Sequence, residues 1–215
     1  MKHFKVFDEH ADYQSYIDSS VKILPNLSFC KNIEDSHLNP KYKVITKYNI
    51  ESAPVTLKIR GGANTLVPNI YEISVDGVVL NDIPETYTFD TTGEHVVKTT
   101  YNNSREIPYG AYSLNLEKEV IIPEGITTIG EGAFNYNVSL NKITIPVSLR
   151  EMKEYSFAES INIDSLYIRN LTSYCNITGE AFTAEFQDGM ICAKHIYLNN
   201  VEITNLVIPN NVKSL

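Results

Sequence analysis

Tryptophan is missing from this 215-residue chain, cysteine occurs three times, and no apolar run is long enough to cross a bilayer. The longest aliphatic stretches, such as Val120-Ile121-Ile122, are strand-sized. The opening MKHFKVFDEHADYQ is charged at Lys2, Lys5, Asp8, Glu9 and Asp12, and no signal-peptide run follows. As written, the chain is expected to stay in the cytoplasm where it is made, without membrane insertion. Cys30, Cys175 and Cys192 are widely spaced and odd in number, with no CxxC or HxxxH. Neither a disulfide framework nor a zinc site is expected from them, and buried free thiols are. Basic residues are outnumbered, 18 Lys and Arg against 26 Asp and Glu, for a net charge of −8. No basic stripe offsets this: Lys41, Lys43 and Lys47 are interrupted by Tyr42 and Val44. Nucleic acid and anionic membrane are therefore disfavoured partners.

Catalytic signatures are lacking too. GxGxxG, GxxxxGK(S/T), GxSxG and HExxH do not occur. Arg60-Gly61-Gly62-Ala63-Asn64 is glycine-rich, but no helix signal follows to cradle a phosphate, so it reads as a loop. His10, Cys30 and His37 sit in a polar stretch that reads as structural rather than as a metal or Cys–His site. Glu117 and Glu119 are expected on a solvated strand face, not converging in a cleft as glycoside hydrolysis requires. The chain is read as a non-enzyme without cofactor or metal.

Tyr (14), Phe (8), Val, Ile and Thr are abundant, which favours strands. The dominant feature is an internal repeat. Ile129-Gly130-Glu131-Gly132-Ala133-Phe134 aligns with Met152-Lys153-Glu154-Tyr155-Ser156-Phe157 at an offset of 23 positions. Val120-Ile121-Ile122-Pro123 meets Ile143-Thr144-Ile145-Pro146 at the same offset, and Leu166-Tyr167-Ile168 follows. Weaker copies start at Ile107 (ending Gly110-Ala111-Tyr112) and at Ile177 (Ile177-Thr178-Gly179-Glu180-Ala181-Phe182), and Leu206-Val207-Ile208-Pro209 opens another as a strand. Each unit predicts a short strand, a proline that ends it, and an aliphatic and aromatic filling behind. Four or five apolar side chains cannot offset the entropy of ordering one such unit alone, so the coils must stack. The expected repeat core is Ile122, Pro123, Ile129, Ala133, Phe134, Ile145, Pro146, Met152, Phe157, Ile168, Ile177, Ala181, Phe182, Ile208 and Pro209.

The pattern Ile-Pro-x-x-(Ile/Val/Leu)-x-x-Ile-x-x-x-Ala-Phe, carried by Pro123, Gly125, Ile126, Ile129, Ala133 and Phe134, resembles the BspA-like leucine-rich repeats of bacterial surface proteins and gut phages. The resemblance spans roughly residues 105–215, and IYLNNVEITNLVIP at 196–209 resembles a two-strand insert of that family. Residues 166–195 depart from it as an expanded coil holding Cys175 and Cys192, where a bridge formed after release from the cell is the alternative to free thiols.

Upstream, alternation in Val55-Thr56-Leu57-Lys58-Ile59 and Ile70-Tyr71-Glu72-Ile73-Ser74-Val75 predicts half-buried strands. Asp76-Gly77 predicts a tight hairpin into Val78-Val79-Leu80, and Thr92-Gly93 a second hairpin joining Thr86–Phe89 to His95–Lys98. Residues 44–104 are thus a small antiparallel β-sandwich-like domain whose last strand runs into the first coil near Ile107 and covers its apolar end. Residues 1–43 hold a short helix near Asp8–Ser19 and serve as an anchoring segment. The string FKVFDEHADYQSYI…ILPNLSFC…HLNP resembles an N-terminal module of structural proteins of gut Bacteroides phages, including crAss-like phages, and VDGVVL…YTFDTTGEHVVK resembles the β-domain that follows it there. The resemblance implies a virion subunit (fibre, tail-associated or decoration) that oligomerises, binds other virion proteins through residues 1–43, and meets host-surface protein or glycan through its repeats. The alternative is a BspA-like adhesin on a bacterial surface. Thr144 and Tyr167, on exposed strand positions, are the candidate contact residues. Tyr13, Tyr16, Tyr42, Tyr48, Tyr101, Tyr109 and Tyr112 suit either contact patches or strand packing.

Overall fold

The computed structural model describes residues 41–60, 69–102, 104–179, 191, 193–205, 207–210 and 212. The expected helix near residues 8–19, the His10, Cys30 and His37 group, Ala181, Phe182 and Cys192 lie outside the described residues.

The fold is mainly β. The antiparallel part contains β1 (Lys41–Ile50), β2 (Val55–Lys58), β3 (Ile70–Val75), β4 (Val78–Val79), β5 (Thr86–Phe89) and β6 (Gly93–Asn102). The repeats supply short strands: β7 (Glu106–Ile107), β8 (Glu119–Ile121), β9 (Thr128–Ile129), β10 (Lys142–Thr144), β11 (Glu151–Met152) and β12 (Ser165–Ile168). After β12 come the one-turn helix α1 (Leu171–Cys175), then β13 (His195–Leu198) and β14 (Val201–Glu202). One nine-stranded sheet runs β14-β13-β12-β10-β8-β1-β6-β3-β4, and β7, β9 and β11 form a second wall.

The repeat period reappears as register. Val120 pairs with Ile143 and Ile143 with Leu166, all in parallel. Ile107, Ile129 and Met152 pair the same way on the second wall, and Glu151 bridges on to Thr178. Between the walls, Ile122, Ile145 and Ile168 are buried in one continuous cluster, as are Leu149, Phe157 and Ile163. The aromatic position of each coil stacks on the next. Tyr112 and Phe134 have ring centroids 5.1 Å apart and nearly parallel planes, and Phe134 and Phe157 are 4.9 Å apart. Small residues permit this approach: a Cβ on Gly130 would lie 2.6 Å from the Ile107 carbonyl oxygen, closer than van der Waals contact allows.

A proline opens the same turn at three places, with Ile126 N–H donating to Pro123 O after β8, Leu149 N–H to Pro146 O after β10, and Val212 N–H to Pro209 O. The expected strand at Leu206–Pro209 does not form among its described residues, 207–209, although its turn does. β14 folds back antiparallel on β13 and occupies the edge at Tyr197 and Leu198 where a further parallel rung would bond.

The antiparallel strands enclose a second core of Tyr48, Ile50, Ile59, Ile73, Val75, Phe89 and Val97, with the β2–β5 ribbon as the facing layer. The Asp76-Gly77 hairpin joins β3 to β4 as expected. Asp76 also accepts from Val96 N–H at 2.8 Å and meets His95 Nδ1 at 2.7 Å.

The structure departs from the sequence pattern at two places. β5 and β6 are not a hairpin: β5 pairs with β2 and β6 pairs with β1 and β3. Phe89 turns inward against Tyr48 and His95, and this carries the chain from one layer to the other. The strand that covers the end of the repeat stack is β1, antiparallel to β8, rather than the last strand β6. Gly125, at φ +99°, lies under the Tyr42 ring of β1, where a Cβ would collide with it.

Replacing Phe134 by Ala removes the middle ring of a fully buried column and is expected to cost about 3–5 kcal/mol in urea unfolding. Replacing the exposed Tyr109 by Ala should change stability by no more than about 0.5 kcal/mol.

Candidate interaction surface

Strands alternate their side chains, so the row opposite the core is fixed by register. On the nine-stranded sheet this outward row is Ile45, Ile121, Thr144, Tyr167 and Tyr197, each half-buried. Thr144 and Tyr167, expected from sequence as contact positions, are direct cross-strand neighbours in it. They share a groove of about 370 Å³ with Glu119, Ile121, Lys142, Ile168, Arg169, Asn199 and Asn200.

The row next to it is charged. Glu119 receives Lys47 and Lys142, each at 3.0 Å, and Lys47 also lies 3.8 Å from Glu94. Lys142 Nζ sits 4.6 Å above the Tyr167 ring, and Tyr167 stacks on Tyr197 at 4.6 Å. Both faces of the Tyr167 ring are therefore covered, which leaves its edge and hydroxyl for outside contacts. Burial alone would raise the Glu119 carboxyl, but hydrogen bonds from Lys142 and Lys47 overcome it and hold the group below its ordinary range. A second groove of about 600 Å³ continues from this charged row along Lys47, Lys118, Lys142 and Lys194 to Asn141, Asn162 and Val138.

Of the expected core residues, Ile122, Ile129, Ala133, Phe134, Ile145, Met152, Phe157, Ile168 and Ile177 are buried. Pro146 is buried, while Pro123, Ile208 and Pro209 are half-buried. Cys175 carries a free thiol and is partly exposed; burial raises it above the ordinary thiol range. Among the described residues, no group of three His, Cys, Asp or Glu could hold a metal ion. No helix there is long and apolar enough to cross a membrane.

Glu117 is the main correction. It was expected on a solvated face beside Glu119, yet it is fully buried. The connection from the aromatic to the strand is one residue shorter in the first coil (112 to 120, against 134 to 143 and 157 to 166). Counted back from the strand, Glu117 holds the place of Leu140 and Ile163, both core residues. Its Oε1 accepts from Asn137 Nδ2 at 2.6 Å, while burial pushes the carboxyl up to about 8. Tyr48, Tyr101 and Tyr112 are likewise buried, so of the seven tyrosines weighed as contact residues only Tyr109 is described as well exposed.

A polar ladder runs beside the aromatic column. Ser160 Oγ donates to Phe134 O at 2.6 Å, and Asn137 Nδ2 to Tyr112 O at 3.3 Å, each tying a coil to the one before it. The signal was legible as a polar residue three positions after each aromatic: Tyr112 and Asn115, Phe134 and Asn137, Phe157 and Ser160.

Because Glu119 titrates below its unfolded value of 4.5, its contribution is present above that pH and is lost as pH falls through the folded value. Glu119→Gln is expected to shallow the acid limb of a stability–pH profile, at a cost near neutrality below about 1 kcal/mol per partly exposed pair. An unchanged acid limb would remove the ion-pair row from the account.

No curated protein and no solved structure matches the chain. A family model described as the BspA type leucine-rich repeat region matches residues 105–215 in six copies. That span holds the stacked parallel strands, the proline turns and the aromatic column. With more than half of its length matched, the chain belongs to the BspA-type leucine-rich-repeat family.

Proposed function

We propose that the protein is a non-catalytic recognition subunit of a phage virion, a fibre, tail-associated or decoration component. Its repeats present a surface to host protein or glycan, and residues 1–43 attach it to other virion proteins. The observation that carries the recognition role is the outward row Ile121, Thr144 and Tyr167, half-buried neighbours that line one groove of the sheet. Arg169, Asn199 and Asn200 line the same groove and offer hydrogen-bond donors and acceptors beside an aromatic edge. Such a mixture of Tyr, Arg and amides suits a polar ligand held by few fixed contacts. Repeat stacks serve recognition because each coil adds area to a continuous face. The virion setting is supported by the resemblance of the residue 1–43 and 44–104 segments to phage structural proteins. Oligomerisation follows as an expectation, since weak contacts gain from being repeated.

Two measurements test this reading. The full chain applied to host cells and to arrays of surface glycans should bind one class, with Tyr167→Ala weakening binding on the order of tenfold and no turnover of the ligand. Immunogold labelling of purified particles should place the protein on virions. Label confined to a bacterial envelope would favour the adhesin reading, and unchanged binding in Tyr167→Ala would remove this groove as the site.

A further inference from the structure

At the joint between the antiparallel strands and the repeat stack, a carboxylic acid stands where the later coils carry Leu140 and Ile163. Three observations converge there. First, the side chain at the Leu140 and Ile163 position of the first coil is a carboxylic acid, Glu117, with no access to solvent. Second, Asn115 occupies the place of Asn137 and Ser160 in the polar ladder, but no earlier coil offers it a carbonyl. Its side chain is buried beside the Tyr48 phenol instead, and Glu117 Oε2 and Asn137 Oδ1 are buried without a hydrogen-bond partner among the described residues. Third, the strand laid over this coil, β1, places Thr46 and Tyr48 there, and β6 places Thr99 and Tyr101. Tyr101 donates its hydroxyl to Tyr112 at 3.1 Å, and Tyr48 donates to Lys58 O at 3.2 Å.

The groups that face Glu117 can be named element by element. Asn137 of the second coil donates to it, and the phenols of Tyr48 on β1 and Tyr112 in the first coil lie close enough to feel its charge; behind them stand Thr46 and Asn115 beside Tyr48, and Thr99 and Tyr101 of β6 beside Tyr112. All are neutral. Burial and the nearby Glu117 charge raise the Tyr48 phenol well above its ordinary range, and burial also raises the Tyr112 phenol, so neither supplies charge at accessible pH. The neighbouring cations turn away: Lys118 is exposed, and Lys47 is paired with Glu119 and Glu94. A carboxylate buried without a cation is costly, while a protonated carboxyl fits.

We propose that Glu117 is a proton-operated latch: its neutral form lets the first coil close against β1, and its ionised form loosens that joint. In the closed joint the carboxyl titrates near 8, and exposed it titrates near 4.5. Closure is therefore firmest below the lower value, weakens through the interval as the open state sheds its proton, and levels off above the higher one.

The test is amide hydrogen exchange on the full chain between pH 5 and 9, with the intrinsic pH dependence of exchange divided out. The informative amides are those of the joint, including Lys118 N–H on Lys47 O, compared with Ile145 N–H on Tyr167 O deeper in the stack. Opening at the joint should rise about tenfold per pH unit up to about 8 and then flatten, with the deeper amide changing less. Glu117→Gln and Glu117→Leu should both abolish the slope. A wild-type slope in Glu117→Gln, or equal slopes at the two places, would overturn the proposal. So would failure of both variants to fold, because a neutral or aliphatic side chain must fit this rung.

Discussion

Backbone hydrogen bonding between successive coils is the constraint from which the rest of this protein follows. A coil of some two dozen residues has little regular structure of its own, so its amides and carbonyls must find partners above and below. They do so on every side of the turn. Thr127 and Thr128 N–H both donate to Arg105 O, Arg150 and Glu151 N–H both donate to Thr127 O, and Thr178 N–H donates to Arg150 O. Behind the strands, Tyr112 N–H reaches Ala133 O and Phe134 N–H reaches Ser156 O. Once the backbones are locked in register, equivalent side chains must stack directly. Residue type at each repeat position then becomes a property of a column rather than of a residue.

Columns explain both the regularities and the exceptions. Tyr112, Phe134 and Phe157 stack because each ring has a flat neighbour at the required spacing. Side-chain hydrogen bonds extend the same logic: Ser148 Oγ donates to Ile126 O, and Glu124 accepts from Val147 and Ser148 N–H. Exceptions gather where a column begins, because the first coil has a neighbour on one side only. There β1 supplies the missing partner, antiparallel where a coil would be parallel. The polar ladder cannot continue into it, and Asn115 meets the Tyr48 phenol of β1 in place of a coil carbonyl.

Much of this was legible in the sequence. The offset of 23 positions between Val120 and Ile143, and between Ile143 and Leu166, is the strand register itself, since the hydrophobic period and the coil length are the same quantity. The Asp76-Gly77 turn was equally direct, because two residues leave one geometry for the strands around it. Long-range choices were not legible. Nothing local to Thr92-Gly93 distinguishes a hairpin from a crossing between layers; the direction of Phe89 decides it, and that depends on Tyr48 more than forty positions away. The pairing of β1 with both β6 and β8 is likewise written in no local pattern. Glu117 was readable in principle by counting back from Val120, but charge pointed toward solvent while column position pointed toward the core. Position prevailed.

The claim beneath all of this is that the repeat strands lie parallel, in register, one coil per rung. Inter-strand proton–proton contacts in solution report it directly. Cross-peaks characteristic of parallel pairing are expected between the strand of Thr144 and those of Ile121 and Tyr167, in both directions from the central strand. An antiparallel pattern, or contacts from Thr144 to neither neighbour, would contradict the stacked architecture.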